Sequence, residues 1–420
     1  MYSFMAGLVL LAIAMCAWVV VKDLFHPSFV FPGVWGLGLC AVAGTPLLGF
    51  YELTSESLFL FVVCGVVFSF AALYLNNLLK AMPSVNEGFF YRNLNYKKIA
   101  VFFMLMHLLI LPIAYQDLSA LGNGFEQISY TARSMAVSGE DVFDKVTANY
   151  LLVGLIVIPL LTFAVAKKEI SVISYVIIVV PWCVFILIGT GRSGLIQMLL
   201  CLLLVYRVAN NKLPVKILFL SGVLFVLVLV VGAIATNKVD LSADSSVTDL
   251  FVVLLKHLAG YALQGPILFS LYFDNVIEVF PNWSPFASIC HMLSGFGLCV
   301  PLPIHAQFNL YGPGLDGNVY SIYFSLYPNF GVLGTVVFMA FYSLVSTYAY
   351  VRARAGNVFF LVVAAYLYSA SVLSLFADSF LPSLWFFIKV FCIVAVLLLF
   401  FSIRIKAEVA DTVEEGLDER

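Results

Sequence analysis

The sequence predicts an all-α integral membrane protein, a polytopic transmembrane helical bundle of about eleven spans. Three observations predict this class: 63% of the 420 residues are hydrophobic, only 10% are charged, and long apolar stretches recur along the chain. Soluble domains carry about 25% charged residues. Charges this sparse cannot cover a globule with a wetted surface, so lipid must solvate much of this protein.

Eleven stretches qualify as spans, since a transmembrane helix needs about 20 apolar residues. They lie at 3–21, 28–50, 57–75, 99–115, 149–166, 170–189, 194–208, 215–235, 319–349, 357–377 and 382–403. The first has no cation ahead of it and is followed by Lys22, so we interpret it as an uncleaved span and not as a secretion signal. Residues 1–420 are then one integral membrane domain.

The cations of the connecting loops predict the orientation. One set of loops contains Lys22, Lys80, Arg92, Lys97, Lys98, Lys167, Lys168, Arg207, Lys212, Lys216, Arg352, Arg354, Arg404 and Lys406. The alternate set contains Arg133, Lys145, Arg192, Lys238 and Lys256. Because cytoplasmic loops are enriched in Lys and Arg, we expect the first set to be cytoplasmic. An odd number of spans then places the N-terminus outside and the C-terminus in the cytoplasm.

Two long loops are expected on the outer face. The first, 116–148, has helix-like polarity, and the second, 237–318, is the largest polar element of the chain. The second loop contains an apolar stretch at 251–273, which is either a helix lying in the membrane interface or a hairpin that dips into the membrane. Cys290 and Cys299 lie together in this loop, where an oxidising compartment would allow a disulfide.

Several classes of function leave no trace in the sequence. It has no Walker or GxGxxG phosphate loop, no CxxC or His/Cys cluster for a metal, and no basic cluster interleaved with aromatic residues. We therefore expect no cofactor, no metal and no nucleic-acid partner. Energy for any reaction must come from a gradient or from an activated substrate.

The outward-facing cations oppose the positive-inside bias and are candidates for a phosphate or pyrophosphate site. Arg192, in GTGRSG at the corner between two spans, is either a snorkelling arginine or a phosphate ligand. Arg133, in ISYTARSM, is either a solvated loop cation or a second phosphate contact. Lys238, in ATNKVD, is either an interfacial anchor or a further cation facing phosphate.

A polar stripe crosses the apolar stretch of the large loop. Its members, His257, Tyr261 and Gln264, are spaced by three to four residues and share one helix face. This face either packs against the other outer loop or lines a substrate cavity.

The large loop also contains candidates for acid–base chemistry. His291 and His305 are either ordinary surface residues or general bases, since histidine titrates near neutrality. Asp316 either orients or deprotonates a hydroxyl, or caps the long helix that follows. Lys389, in the last span, needs a partner, and Asp378 is the candidate at the same end.

Three segments resemble the bacterial O-antigen polymerase (Wzy) family, within the wider group that includes the O-antigen ligases. They are FHPSFVFPGVWGL with His26, Pro27 and Trp35; the GTGRSG corner; and GNVYSIYFSLYPNFGVLG, which is similar to the family's Asn-x-Tyr and Phe-Gly-x-x-Gly re-entry. The resemblance covers most of the chain in layout.

The resemblance implies a glycosyltransferase of the GT-C type that joins undecaprenyl-pyrophosphate-linked oligosaccharide repeat units at the periplasmic face of the bacterial inner membrane. The pyrophosphate would be both leaving group and energy store. Its implied partners are the lipid-linked oligosaccharide, membrane lipid, and a chain-length regulator and flippase of the same pathway.

The resemblance transfers a role to a few positions. Arg192 matches the corner arginine that would contact pyrophosphate, and Asn318 and Tyr320 match the re-entry motif. The ligase branch has His before that Asn, whereas this chain has Gly317, which counts against a ligase. The general base is therefore left open among His305, Asp316 and His291, and Asn329 stands where many polymerases have an acid.

A polysaccharide or lipid-linked oligosaccharide flippase is the alternative from another class, with Lys389 and Asp378 on its path. Transporters usually place charges near the membrane midplane. Most candidate charges here lie in outer loops, which favours chemistry at a surface.

Overall fold

The computed structural model describes residues 1–81, 94–138, 142–190, 192–211, 247–278, 286–294, 296–299, 308–381 and 384–402, with positions 216, 219–220 and 222–223. This part of the chain is mainly α-helical. Seven of its helices are long and apolar enough to cross a membrane: α1 (Tyr2–Val21), α3 (Ser55–Ala81), α4 (Tyr96–Ala120), α6 (Lys145–Ala166), α9 (Val247–Phe273), α11 (Tyr323–Arg354) and α13 (Leu384–Phe401). By length and composition it is a multi-pass, all-α membrane protein.

The remaining elements are shorter. Four are apolar helices: α2 (Pro27–Val42), α7 (Val172–Thr190), α8 (Arg192–Asn210) and α12 (Val358–Leu373). The others are the amphipathic helix α5 (Phe125–Ser138), helix α10 (Ala287–Ser294), a 3-10 turn at Thr45–Leu48, and strands β1 (Asn309–Gly312) and β2 (Leu315–Gly317). The two strands pair antiparallel and form a hairpin.

Ten of the eleven predicted spans fall on helices, and the eleventh, 215–235, lies mostly outside the described residues. Two predicted spans are too long. Helix α2 ends at Val42, because Pro46 opens a 3-10 turn and Gly49 takes a left-handed φ of 84°. Helix α12 ends at Leu373, where the chain turns back against the bundle.

Both predicted outer loops contain helices and are not irregular connections. Helix α4 runs on to Ala120 and α6 begins at Lys145, so the first predicted loop, 116–148, shrinks to a connection that holds α5. In the second loop the apolar stretch forms one continuous helix, α9, through Pro266. The dipping-hairpin alternative is therefore wrong.

Helices α1 and α2 are joined by small residues. A Cβ on Gly7 would lie 2.6 Å from Cys40 Sγ and 2.8 Å from the Gly36 carbonyl oxygen, so the two backbones nearly touch. Within lipid, helices associate through such close packing, since lipid tails are as apolar as the helices themselves.

Polar contacts also join helices in the interior. His107 of α4 shares a hydrogen bond of 2.5 Å with the Tyr150 hydroxyl of α6, and its other ring nitrogen bonds the Ile178 carbonyl of α7 at 2.7 Å. Because that carbonyl only accepts, His107 Nε2 donates, and Nδ1 then accepts from Tyr150. Both ring nitrogens are occupied, which fits a role in packing.

A buried carboxylate holds one end of the bundle together. Asp23, which follows α1, has a side chain only 3% exposed. Its Oδ1 accepts from Arg207 Nη2 of α8 at 3.3 Å, and its Oδ2 accepts from Arg354 Nη1 at 3.0 Å and from the Tyr350 hydroxyl at 2.5 Å, both in α11. The Phe25 amide donates to Oδ1 at 3.2 Å. This Asp23 end therefore ties α1, α8 and α11 through one side chain.

The helix ends that meet at the Asp23 end are ones that the charge pattern assigns to the same side of the membrane. Arg207 and Arg354 lie there, and both belong to the set of cations expected to be cytoplasmic. The start of α4 and the end of α13 are also joined to each other, because the Asn95 amide donates to the Phe401 carbonyl at 2.8 Å. These neighbours agree with the predicted alternation of the helices.

Replacing Asp23 with alanine should destabilise the protein by about 3 kcal/mol, because it leaves Arg207 and Tyr350 buried without their acceptor. This loss of stability is at the low end of the range for broken buried ion pairs, since the Arg354 side chain is 43% exposed and partly screened by solvent. Thermal unfolding of the detergent-solubilised protein measures the change. Lys22→Gln, an exposed neighbour, is the control and should shift stability by no more than about 0.5 kcal/mol. An Asp23→Ala protein as stable as the wild type would contradict this role.

Candidate functional site

The β-hairpin marks the opposite end of the bundle, called here the hairpin end. The hairpin lies over the connection between α2 and α3, where the Tyr51 amide donates to the Tyr311 carbonyl at 2.9 Å. Phe50 packs edge-on against the Tyr311 ring at 5.0 Å. The chain then passes from the hairpin directly into α11. The stretch GNVYSIYFSLYPNFGVLG, called here the re-entry segment, therefore begins at this end.

Helix α9 lies across the hairpin end. Near its end, Ser270 is hydrogen-bonded to the Thr54 amide at 3.0 Å and to the Ser57 hydroxyl at 2.9 Å, both at the start of α3. Phe269 packs against Tyr323 at 5.3 Å, at the start of α11. These partners all lie at the hairpin end, as expected for a helix that crosses that end of the bundle.

The stretch from Ser374 to Leu381, between α12 and α13, threads through the same end and is called the α12–α13 connection. The Ser374 carbonyl accepts from the Ile322 amide at 2.9 Å, and its hydroxyl accepts from the Trp35 indole at 2.8 Å. The neighbouring Leu375 carbonyl lies directly against Gly265 of α9. The connection therefore fixes α2, α9 and the start of α11 relative to one another.

The re-entry segment contains a break in α11. Gly331 has φ 61° and ψ −166°, a conformation open to glycine and strained for other residues. The break separates a short first part, from Tyr323, from the long remainder of the helix. This glycine belongs to the Phe-Gly-x-x-Gly pattern, so the pattern encodes a kink at the place where the chain enters the bundle.

The GTGRSG corner lies between α7 and α8, and Arg192 is the first residue of α8. The structure describes the backbone of Arg192 but not its side chain. One turn further along, Ile196 belongs to a buried cluster against which Leu258 and Tyr261 of α9 pack. Four residues of helix rise about 6 Å, so the backbone of Arg192 lies about that far along α8 from Ile196.

The polar stripe of α9 faces protein. Gln264 is 5% exposed and its side-chain oxygen lies against Gly317 of β2, with no hydrogen-bond partner among the described residues. Tyr261 packs against Phe376 at 6.0 Å, and His257 is partly buried. Of the two alternatives for this stripe, Gln264 and Tyr261 fit the one in which the stripe packs against protein. Their contacts are with the hairpin and the α12–α13 connection, and not with the first outer loop.

The residues of the Asn-x-Tyr motif lie between the hairpin and α11. Asn318 is partly buried, whereas Tyr320 is 1% exposed, packs on Phe324 at 4.6 Å, and accepts a hydrogen bond of 2.7 Å from Asn309. Burial at this level places Tyr320 beneath the surface. Substrate binding by either residue stays a prediction.

Two alternatives for charged residues are wrong. Asp316 does not cap the long helix, because it lies in β2 opposite Leu310, and α11 begins at Tyr323 with no side-chain cap. Asp378 does not pair with Lys389. The Lys389 ammonium lies 5.5 Å from the centre of the Trp385 ring, and Asp378 is hydrogen-bonded elsewhere, as described below.

The other candidates are placed by their backbone alone or not at all. Arg133 lies in α5 and His291 in α10, but their side chains are outside the described set. Lys238 and His305 lie outside the described residues. Next to His291, Cys290 is joined to Cys299 by a disulfide.

The α12–α13 connection is the main part of this end that sequence reasoning missed. Its residues lie at the junction of two predicted spans, where the apolar pattern gives no sign of a turn. The one available signal was Asp378 itself, an acid between two spans. Among the described residues, no group of three or more His, Cys, Asp or Glu side chains could hold a metal ion.

Comparison with known proteins gives no assignment. No family model, no characterised protein and no solved structure matches the chain.

Gly265→Ala should disrupt the hairpin end, because the new Cβ would overlap the Leu375 carbonyl, a backbone group that cannot move aside freely. We expect a loss of about 1–3 kcal/mol, as for other overpacked interiors, measured by thermal unfolding in detergent. The matched control is Gly260→Ala on the same helix. Its Cβ would meet the Tyr311 hydroxyl at 2.6 Å, the movable tip of a side chain. If both variants lost the same stability, the Leu375 backbone would be able to move away from the new Cβ.

Proposed function

We propose that the chain is a glycosyltransferase that joins undecaprenyl-pyrophosphate-linked oligosaccharide repeat units at the periplasmic face of the bacterial inner membrane, as an O-antigen polymerase does. The observation that carries the proposal is a contact between two of the three segments, which are far apart in the chain. Trp35 of the first packs against Tyr323 of the third at 4.9 Å, and the GTGRSG corner opens α8, whose buried cluster packs against α9. Each of the three segments resembles the polymerase family.

The chemistry of the corner supports a pyrophosphate ligand. Arg192 is both a guanidinium and the first residue of a 19-residue helix, whose N-terminal amides favour an anion. Transfer of the glycan would leave negative charge on the departing lipid pyrophosphate, and a fixed cation stabilises that charge as it develops. The activated substrate would then supply the energy, in agreement with a sequence that lacks a nucleotide-binding loop.

The disulfide supports the predicted orientation. Disulfides persist in oxidising compartments such as the periplasm and are rare in the cytosol. Cys290 and Cys299 belong to the large loop that the charge pattern places outside, and they are joined. On this orientation the hairpin end faces the periplasm, where lipid-linked repeat units are polymerised.

Purified protein incubated with synthetic undecaprenyl-pyrophosphate repeat units should extend them into longer chains without added metal. Mass spectrometry or gel analysis of the glycans gives the readout. The same protein in vesicles tests the flippase alternative. Movement of the lipid-linked unit across the bilayer without extension would replace the polymerase proposal with that one, and transfer to lipid A core instead of to a second unit would indicate a ligase.

Arg192→Ala should reduce extension by about 10²–10³-fold while leaving the protein folded and inserted, because it removes a charge that stabilises the departing pyrophosphate. Lys145→Gln is the control, since Lys145 is an exposed cation of the alternate set at the start of α6 and should leave extension unchanged. Surface glycans on a gel give a second readout in cells.

Two results would oppose the role of Arg192. One is a normal glycan ladder in Arg192→Ala cells. The other is labelling of a cysteine introduced at Ser193 by a reagent that reaches only the cytosol, since the corner would then face the wrong compartment.

A further inference from the structure

Asp378 lies in the α12–α13 connection, at the hairpin end, with its side chain held from several directions. Its Oδ1 accepts from the Phe380 amide at 2.8 Å, and its Oδ2 accepts from the Tyr342 hydroxyl at 3.1 Å. The Ser325 hydroxyl, in the re-entry segment, also faces the carboxyl. The Tyr342 ring is itself fixed by stacking on Phe380 at 4.1 Å.

The connection that carries this carboxyl also contacts α9. Two residues before it, Phe376 packs against Tyr261 of α9, and Tyr261 packs against the cluster of α8 that lies one turn from Arg192. Ser325 lies within GNVYSIYFSLYPNFGVLG, five residues after Tyr320. The carboxyl thus adjoins the re-entry segment, and the connection that carries it contacts α9 through Phe376.

Resting on the proposed function, we propose that Asp378 is the general base of the transfer reaction. The acceptor sugar hydroxyl attacks the anomeric carbon of the growing chain, and a new glycosidic C–O bond forms as the bond from that carbon to the pyrophosphate oxygen breaks. The hydroxyl proton passes to an Asp378 oxygen and then to water. The bonding electrons leave with the lipid pyrophosphate, so the step requires no further reactant.

The hydrogen bonds leave capacity for this proton. An ionised carboxylate offers about four lone-pair sites, and the Phe380 amide and the Tyr342 hydroxyl occupy two of them at Asp378. Asp378 is half-buried as a whole residue. A carboxyl locked by fixed donors is also oriented in advance, which a general base requires.

The electrostatic surroundings suit a base that works near neutral pH. Burial raises the pKa of Asp378 from 3.8 to about 6, against the lowering effect of the Phe380, Tyr342 and Ser325 hydrogen bonds. Those three groups face the carboxyl and carry no charge at neutral pH. Lys389 of α13, the cation expected beside it, lies over the Trp385 ring. Asp316, by comparison, is an exposed residue of the hairpin.

Asp378→Asn tests the assignment, because asparagine keeps the shape and an acceptor oxygen but cannot take the proton. In the extension assay with synthetic lipid-linked repeat units, kcat should fall by about 10²–10⁴-fold, the usual contribution of a general base, with binding of the donor unit unchanged. Glu52→Gln is the matched control, since Glu52 is an exposed acid at the same end and its replacement should leave kcat unchanged. Wild-type kcat in Asp378→Asn would overturn the assignment.

The pH profile separates a base from a merely structural acid. Wild-type activity should fall below about pH 6, as Asp378 becomes protonated. Tyr342→Phe removes a donor that stabilises the carboxylate, so the acid limb of its profile should move to higher pH. This variant retains Asp378 and decides the question even if Asp378→Asn is recovered unfolded. An acid limb that stays in place in Tyr342→Phe would overturn the assignment.

The outcomes also distinguish this inference from the function on which it rests. If wild-type protein does not extend lipid-linked units, the proposed function fails, and the role of Asp378 fails with it. If wild-type protein extends them and Asp378→Asn does so equally well, only the role of Asp378 fails.

Discussion

The hairpin end depends on the turn at Ser374. Its carbonyl and hydroxyl accept from Ile322 and Trp35, so one residue holds the start of α11 and the middle of α2 in fixed positions. The next carbonyl, of Leu375, lies against a glycine of α9 because no larger residue would fit there. Within a membrane, backbone N–H and C=O groups must find their hydrogen-bond partners in the protein itself. A helix that ends inside the bundle leaves its last carbonyl groups in need of such partners. Here the groups freed by the end of α12 are the ones that position the re-entry segment.

The two ends of the bundle use buried polar groups differently. At the Asp23 end, one carboxylate receives two arginines and a tyrosine, and it links three helices. This arrangement is expensive to desolvate and is stable only while every partner is present. At the hairpin end, Gln264 and Ser321 each carry a buried polar atom with no hydrogen-bond partner among the described residues. Buried polar atoms without a partner among the described residues also lie toward the Asp23 end, at His26 and Thr347, so the carboxylate clamp is what distinguishes that end.

Helix placement could largely be predicted from sequence, whereas helix ends and contacts could not. The predicted span at 357–377 extends past the true end of α12 because the Ser374–Ala377 turn is as apolar as the helix before it, apart from one serine. The apolar stretch at 251–273 was recognised, but hydropathy does not distinguish a helix that crosses the bundle end from one that enters and leaves the membrane. The kink at Gly331 was likewise present in the sequence only as a glycine pattern.

The sequence by itself determined that this is a helical membrane protein and where most of its helices lie, since both follow from local hydropathy. Only the tertiary structure decided that Asp23 joins three helix ends, that Asp378 meets Tyr342 in place of Lys389, and that α9 lies across the hairpin end. These contacts join residues up to about 330 positions apart in the chain. Hydropathy depends on neighbours in sequence, whereas the partner of a buried polar group depends on which helices pack together.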